Sequence, residues 1–485
     1  MSALEEIQAV RLEKIEKLKI FGMDPYPSNV PRDMSLGEVV TSFDELESKD
    51  ESFSIAGRVM AIRGQGAILF IVLQEGADRF QTVLKKDEIE KNLFSLFIDT
   101  VDVGDFISVT GTLFITKRGE QSLLIKDWRM ATKSLLPLPE KWAGIKDDDE
   151  RYRKRYLDIL MDTDLYKMFQ QKSVFWDATR DFLTDRGFLE VETPTLEVTT
   201  GGAEANPFKT HHKDYNLNVY LRISVGELWQ KRLMSAGFPK TFEIGRVYRN
   251  EGSSAEHLQE FTNMEFYWAY ANYRDGMDTT KEMYRYIAER AFGTTKFETR
   301  GHSFDLADKW DEIDYVTEVK KQTGVDILSA SEDEMKAKLN ELKVKYTGDN
   351  KERLMDTLWK YCRKNISGPA FLIHHPTLVS PLSKAKADNP ELTERFQIIL
   401  AGSELGNGFS ELNNPIDQRE RFELQQKLIE AGDDEAMQPE WEFVDMLEHG
   451  MPPACGFGFG ERLFAFLVDK PIRETQMFPL MKPKD

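Results

Sequence analysis

Between Ser52 and Thr132 the chain settles into short runs rich in β-branched and aromatic residues. Five of them follow one another: SIAGRVMAI, AILFIVLQ, RFQTVL, DFISVTGTLFI and SLLIKDWRMAT. The stretches between them carry Gly or Asp, as turns do. Five strands in roughly eighty residues predict a small Greek-key barrel of the OB type. Strand count alone leaves another small barrel open.

The flanks read differently. Residues 4–21 have the pattern of an amphipathic helix, with Glu13 and Lys17 spaced for an i,i+4 pair, and Gly22, Pro25 and Pro27 end it. After the barrel, LPLPEKWAGIK (Leu136–Lys146) holds two prolines and a glycine and reads as a linker. A helix over about Leu165–Arg186 stops at Gly187, and the extended run FLEVETPTL follows. The charged, mostly helical stretch Asp305–Lys364 looks like an insertion. The expected order is a helical extension over 1–50, the barrel over 51–135, the linker over 136–150 and a larger domain over 151–485 that contains the insertion at 305–364. At 485 residues, two or three folding units are expected.

Composition narrows the function. No run of about 18 apolar residues could span a bilayer, and the N-terminus lacks the apolar centre of a signal peptide. No membrane partner is expected. Cys362 and Cys455 are the only cysteines, too few for a disulfide framework or a zinc site, and they fit a reducing cytoplasm. A net charge of −19 argues against a nucleic-acid partner, although the location of positive charge matters more than its sum. Arg151, Arg153, Lys154 and Arg155 form a basic knot directly after the acids 147–150. Either the knot is a self-neutralising linker or it meets an anionic partner.

Three segments carry chemistry. Lys240–Tyr270 reads as strand, loop, strand. Arg249 and Glu251 share one parity in the first strand, and Phe261, Glu265 and Tyr267 share one in the second. The loop holds His257. Paired antiparallel, these strands would show an arginine, two acids and two aromatics on one surface. Unpaired charges cost several kcal/mol in a buried core, so the set points to a site, though each residue alone could be a surface ion pair. In LAGSELGNGFSELN (Leu400–Asn413), Asn407, Phe409 and Glu411 alternate onto one face, and Glu404 precedes them. Gly406 and Gly408 imply close approach of the backbone to something bulky; a bulged edge strand is the other reading. In ACGFGFGERLFAFLV, glycines alternate with phenylalanines before a helix beginning around Glu461-Arg462. An arginine in a first helical turn opposes the helix dipole unless an anion sits there too.

These segments resemble the class II aminoacyl-tRNA synthetases, most closely the lysyl branch of that class. GFLEVETPTL (Gly187–Leu196) matches the first class motif, YRNE…HLQEFTNMEFY (Tyr248–Tyr267) the second, and GFGFGERL (Gly456–Leu463) the third. The resemblance also covers GGAEANPFKTHH (Gly201–His212), ELGNGFSELN and AGDDEAM (Ala431–Met437), nearly the whole chain. It implies an α+β catalytic domain built on an antiparallel sheet flanked by helices, behind an OB-type anticodon-binding barrel. It implies ATP and Mg2+ as cofactors, L-lysine and tRNA(Lys) as substrates, and a homodimer with Pro194 at its interface.

Carried over by position, the resemblance gives Arg249 and Arg462 the catalytic roles. Arg249 would bridge the lysine carboxylate and the α-phosphate, and Arg462 would clamp the γ-phosphate of a bent ATP. Glu251 would accept from the adenine amino group, Phe261 would stack on adenine, and His257 would lie near the terminal phosphates. Glu404 would ligate magnesium. Glu227 and Glu411 would hold the lysine ammonium, oriented by Tyr267 and Asn407, with Gly202, Glu265, Phe409 and Gly458 completing the pocket. An ammonium taken out of water needs this opposite charge. In the barrel, Phe70 would stack on the middle anticodon base, with Gln81 and Glu120 bonding it. By alternation alone Phe70 is as readily barrel core.

The chain also departs from the pattern. Gln397 stands where a second magnesium-binding glutamate is usual, which should weaken the metal. RISVGELW is one residue longer than usual, GFGFGERL is one residue shorter, and Leu258 replaces a polar residue. Glu411 argues against an aspartate substrate, since the aspartyl enzymes place an arginine there. Ligases that attach lysine to a protein lack the barrel. A catalytically silent, tRNA-binding relative is the remaining reading.

Overall fold

The structure is a computed structural model that describes residues 2–64, 66–139, 145, 147–202, 205–252, 254–346, 348, 350–431 and 437–484. Part of the expected linker (140–144 and 146), residues 203–204 of the GGAEANPFKTHH segment and residues 432–436 of AGDDEAM therefore lie outside the described residues. The chain forms two compact units, Met1–Met168 with Phe478–Asp485, and Phe169–Met477.

In the first unit five strands close a barrel: β1 (Phe53–Arg63), β2 (Ile68–Glu75), β3 (Asp78–Lys85), β4 (Phe106–Ile115) and β5 (Gln121–Thr132), in the order β1-β2-β3-β5-β4. β1 pairs with β4 to complete the ring, and β3 runs parallel to β5. Alternate residues such as Ile71, Leu73, Val109 and Ile125 fill the interior. The helix Lys91–Thr100 closes one end, where Phe97 meets Trp128 edge-on at 5.2 Å and the indole N–H donates to the Leu93 carbonyl.

The N-terminal helix runs over Ala3–Phe21, opened by a Ser2/Glu5 capping box and ended by Gly22 at φ 86°. The expected Glu13–Lys17 pair does not form. Lys14 reaches Asp102 at 2.6 Å, and Lys19 pairs with Glu16. Asp102 also pairs with Lys133, whose ammonium is fully buried 2.7 Å from Asp105.

Residues 151–168, read from sequence with the second domain, pack with the barrel unit. Gln74 of β2, for example, donates to the Leu160 carbonyl at 3.1 Å. The basic knot is spent locally: Arg151 pairs with Asp148 and Asp158, Arg153 with Asp149, Lys154 with Glu150 and Arg155 with Asp158. The self-neutralising reading is the one the structure supports.

The main sheet of the second unit has, among the described residues, eight strands: β6 (Leu189–Glu190), β7 (Lys240–Tyr248), β8 (Glu260–Ala269), β9 (Asp311–Asp314), β10 (Ala370–Ile373), β11 (Arg395–Leu400), β12 (Ser403–Ser410) and β13 (Ala454–Gly460). Their order is β9-β10-β11-β12-β13-β8-β7-β6. The sheet is antiparallel except at its edges, where β6 runs parallel to β7 and β9 to β10. The stretch 305–364 is thus not purely helical, because it supplies edge strand β9. Beyond β9 its helices Tyr315–Thr323, Glu332–Glu341 and Lys351–Cys362 enclose their own core around Met335, Leu358 and Trp359.

One sheet face is packed with aromatic rings. Phe457 of β13 stacks on Phe396 of β11 at 5.7 Å, and Phe459 stacks on Trp176 at 5.8 Å. Gly406 and Gly408 lie against this layer: a Cβ on Gly406 would be 2.7 Å from the Phe457 ring, and one on Gly408 2.7 Å from Phe396. The bulky neighbours predicted for these glycines are core rings.

Candidate active site

The opposite face of the same strands carries polar side chains, because strand residues alternate between faces. Register brings three strands into rows. Glu265 of β8 lies opposite Gly458 of β13, which lies opposite Asn407 of β12; Tyr267, Gly456 and Phe409 form the next row. The glycines keep the middle of each row low. A Cβ on Gly458 would sit 2.7 Å from Glu265 Cγ, and one on Gly456 would be 2.6 Å from the Tyr267 ring and would strike the Glu411 carboxylate. Over this floor opens a cavity of about 820 Å³, lined by every residue predicted for a site in this unit.

One end is acidic and buried. Glu227 opens the helix Glu227–Ser235 and is 7% exposed, Glu265 is 7% and Glu411 only 1%. Gly202, at φ 96°, fits against Glu227, where a Cβ would lie 3.3 Å from Oε2. Glu265 Oε1 accepts from the Val225 backbone N–H and from Asn263 Nδ2, each at 2.9 Å, and Oε2 accepts from the Tyr267 hydroxyl at 3.1 Å. Burial and the neighbouring Glu227 charge push Glu265 up to about 7. Burial raises Glu411 to about 8, against the pull of Lys231. Neither Glu411 oxygen makes a hydrogen bond among the described residues; Oε2 is in an ion pair with Lys231, and Oε1 has no partner. Lys231 lies between the acids, 2.8 Å from Glu227 Oε1 and 2.6 Å from Glu411 Oε2.

The other end is basic. Arg249, just past β7, donates from Nε and Nη2 to the Ile223 carbonyl at 3.3 Å and lies 5.4 Å from the Phe261 ring centre. Arg462, in the first turn of the helix Arg462–Leu467, donates to the Glu404 carbonyl and lies 3.7 Å from Glu256. Burial lowers both arginines from their usual values. His257 accepts from or donates to Ser254 Oγ at 2.8 Å, and burial together with the Arg462 charge keeps its imidazole below the usual value. Glu251 lies at the exposed rim.

Glu404 Oε1 accepts from the Trp359 indole at 2.6 Å and lies 3.6 Å from Arg363. Gln397 Oε1 is 3.0 Å from His375 Nε2, so its carbonyl is already engaged. No cluster of three or more acid, histidine or cysteine groups shaped for a metal occurs among the described residues. Glu404 alone still suits magnesium, which takes few protein carboxylates and draws its other ligands from phosphate and water.

The cavity is therefore bipolar. It offers carboxylates to a cation at one end and guanidinium groups to polyphosphate at the other, with the phosphate-side arginines fixed in advance. Sequence reading missed Lys231, Trp359, Arg363 and His375. Only Lys231 carried a signal, the i,i+4 spacing from Glu227.

Phe70, Gln81 and Glu120 belong to the barrel. Phe70 is 37% exposed while its neighbours Leu69 and Ile71 point inward, so it is surface and not core. Gln81 donates to Ser122 Oγ at 2.8 Å, and Glu120 is exposed in the β4–β5 turn. These three side chains lie on or beside adjoining strands, in the style of a single-strand nucleic-acid platform.

A catalytic sheet with this cavity and a five-stranded barrel together define a class of enzyme. Residues 147–482 match the family described as tRNA synthetases class II (D, K and N), and residues 53–131 match the OB-fold nucleic acid binding domain. The chain is 40% identical to the lysine--tRNA ligase of Thermotoga maritima over 99% of its length and 97% of that protein. It is 41% identical to the lysine--tRNA ligase of Moorella thermoacetica over 100% of the chain and 99% of that protein, and 40% to that of Roseiflexus sp. over 99% and 100%. The chain belongs to the lysine--tRNA ligase family of the class II synthetases.

The glycine row generates a prediction. Gly456→Ala should displace Glu411 and Tyr267 and raise the KM for the amino acid in ATP–pyrophosphate exchange about tenfold or more, with a melting temperature near the parent's. An unchanged KM would show that the row does not shape the amino-acid pocket.

Proposed function

We propose that the chain activates L-lysine with ATP to lysyl-adenylate and then transfers the lysyl group to the 3′ end of tRNA(Lys). The observation that carries this reading is the orphaned Glu411 Oε1, a buried acceptor beside Glu265 and Tyr267 that calls for a cationic donor. Glu227 and Glu411 hold the substrate ammonium at the acidic end, and Tyr267 and Asn407 orient it. An aspartate side chain would meet acids there and be repelled.

At the basic end Arg249 bridges the lysine carboxylate and the α-phosphate, and Phe261 stacks on adenine. Glu251 accepts from the adenine amino group, and His257 and Arg462 take the terminal phosphates. The lysine carboxylate is itself the nucleophile, so no general base is required. Its attack on the α-phosphorus releases pyrophosphate, and the residues contribute alignment and neutralisation of the growing negative charge. Magnesium, held by Glu404, would add further neutralisation of the phosphates. Gln397, engaged by His375, brings no carboxylate to that site. In the second step a 3′-terminal ribose hydroxyl of tRNA attacks the adenylate carbonyl and displaces AMP. The barrel reads the anticodon through stacking on Phe70 and bonds from Gln81 and Glu120.

The proposed compartment is the cytoplasm, supported by two cysteines that are both buried and free. No helix among the described residues is long and apolar enough to cross a membrane. A symmetric homodimer is proposed because Pro194, Leu196 and Val198, in and beside the first class motif, are exposed.

Three measurements test these readings. Glu411→Gln should cut lysine-dependent pyrophosphate exchange well over tenfold, each factor of ten being about 1.4 kcal/mol; exchange at the parental rate would remove Glu411 from the pocket. Phe70→Ala should weaken tRNA charging and leave exchange almost unchanged, whereas equal loss in both would indicate a folding role. Sedimentation should give a dimer at micromolar concentration, and a monomer there would refute the dimer.

A further inference from the structure

We propose that Lys231 is a specificity-determining positioning residue, a resident ammonium that cross-links Glu227 and Glu411 and leaves each with one oxygen for the cationic end of the bound amino acid. This deepens the lysine reading above and rests on it.

The geometry is unusual for a structural lysine. Nζ is 2.8 Å from Glu227 Oε1 and 2.6 Å from Glu411 Oε2, and the residue is 1% exposed. The rings of Phe409, Phe443 and Tyr267 lie 5.4, 5.7 and 5.8 Å from Nζ. An apolar side chain of equal length would pack among those rings without the cost of desolvating a charge. Packing by itself therefore gives no reason for an ammonium here.

The acids do give one. Each spends one oxygen on Lys231 and keeps the other: Glu411 Oε1 has no partner among the described residues, and Glu227 Oε2 turns toward Gly202 on the cavity wall. A buried carboxylate without a counter-ion takes up a proton instead of staying charged, and a protonated acid attracts an ammonium only weakly. Among the described residues the groups that face the cluster are Glu227 on the same helix, Glu265 and Tyr267 from β8 and Glu411 just past β12; Cys455 lies on the other face of β13, beside Gly276 and Phe396. The helix Trp441–His449 contributes only the Phe443 ring. Among the described residues Lys231 is the one cation within 4 Å of Glu227 and Glu411, with Arg249 farther off on the side of Glu265, and the acidity left over is what a substrate ammonium fills. Burial pulls the Lys231 ammonium down, but Glu227 and Glu411 outweigh it and hold it above the ordinary lysine value, in keeping with a permanently charged partner.

The test compares the full-length parent with Lys231→Met and Lys231→Arg by pyrophosphate exchange from about pH 6 to about pH 9, with lysine and with norleucine, the uncharged analogue that lacks the side-chain amine. In Lys231→Met the lysine KM should rise about tenfold or more near pH 7 and the pH at which it falls should move up by about one unit. The preference for lysine over norleucine should shrink, with kcat and the ATP KM changed less than about twofold, and Lys231→Arg should restore most of the lysine KM. A Lys231→Met variant with the parental lysine KM, pH profile and preference would overturn the proposal. So would joint loss of kcat, ATP KM and melting temperature that Lys231→Arg does not restore, which would mark a plain structural role. Absence of lysine-dependent exchange in the parent itself, with another amino acid active, would instead overturn the lysine reading beneath it.

Discussion

Buried carboxylates are tolerated in a protein only when something nearby answers their charge, and the catalytic unit is arranged around that constraint. Glu227, Glu265 and Glu411 come from a helix, a central strand and a strand end, and all three are out of water. Glu265 is answered by a backbone amide, an asparagine and a tyrosine, and Glu227 and Glu411 by the ammonium of Lys231. Much else follows as consequence. β13 must be glycine on the site face, since any side chain at Gly456 or Gly458 would occupy the space the acids need. Its other face must be aromatic to anchor so slender a strand, and Phe457 and Phe459 supply that anchor.

The polarity of the cavity comes from the same strands. Going from Glu265 back along β8 to Phe261 moves from the acidic end of the cavity to the arginines, so one strand spans both ends. The cavity thus presents buried acids at one end and Arg249 and Arg462 at the other. Bonds to the Ile223 and Glu404 carbonyls fix the orientation of Arg249 and Arg462 within the cavity.

Much of this was legible from residue order. Runs of β-branched and aromatic residues between Gly- and Asp-containing turns marked the five barrel strands, and period two marked the site face of the β7–β8 pair, because strand geometry forces alternate residues onto opposite faces. Parity within one strand placed Phe261, Glu265 and Tyr267 together, and separately Asn407, Phe409 and Glu411. The proline-rich stretch before residue 150 was equally visible, but the grouping of 151–168 with the barrel was not, because it depends on contacts such as Gln74 with Leu160 that no local pattern encodes. Edge strand β9 hid inside a helical stretch, four residues being too few to show a period.

By itself the sequence determined the elements, the faces of its strands and the residue types at the site, since these follow from local sterics and from charges too costly to bury without purpose. Tertiary structure alone decided which of those charges meet. Lys231 reads as the partner of Glu227 one helical turn away, and nothing in the order of residues shows Glu411 on its other side. Nor does it show that Gly406 and Gly408 serve the core while Gly456 and Gly458 serve the cavity. Those assignments depend on register between strands distant in the chain, and register is set by how the whole sheet buries its apolar face.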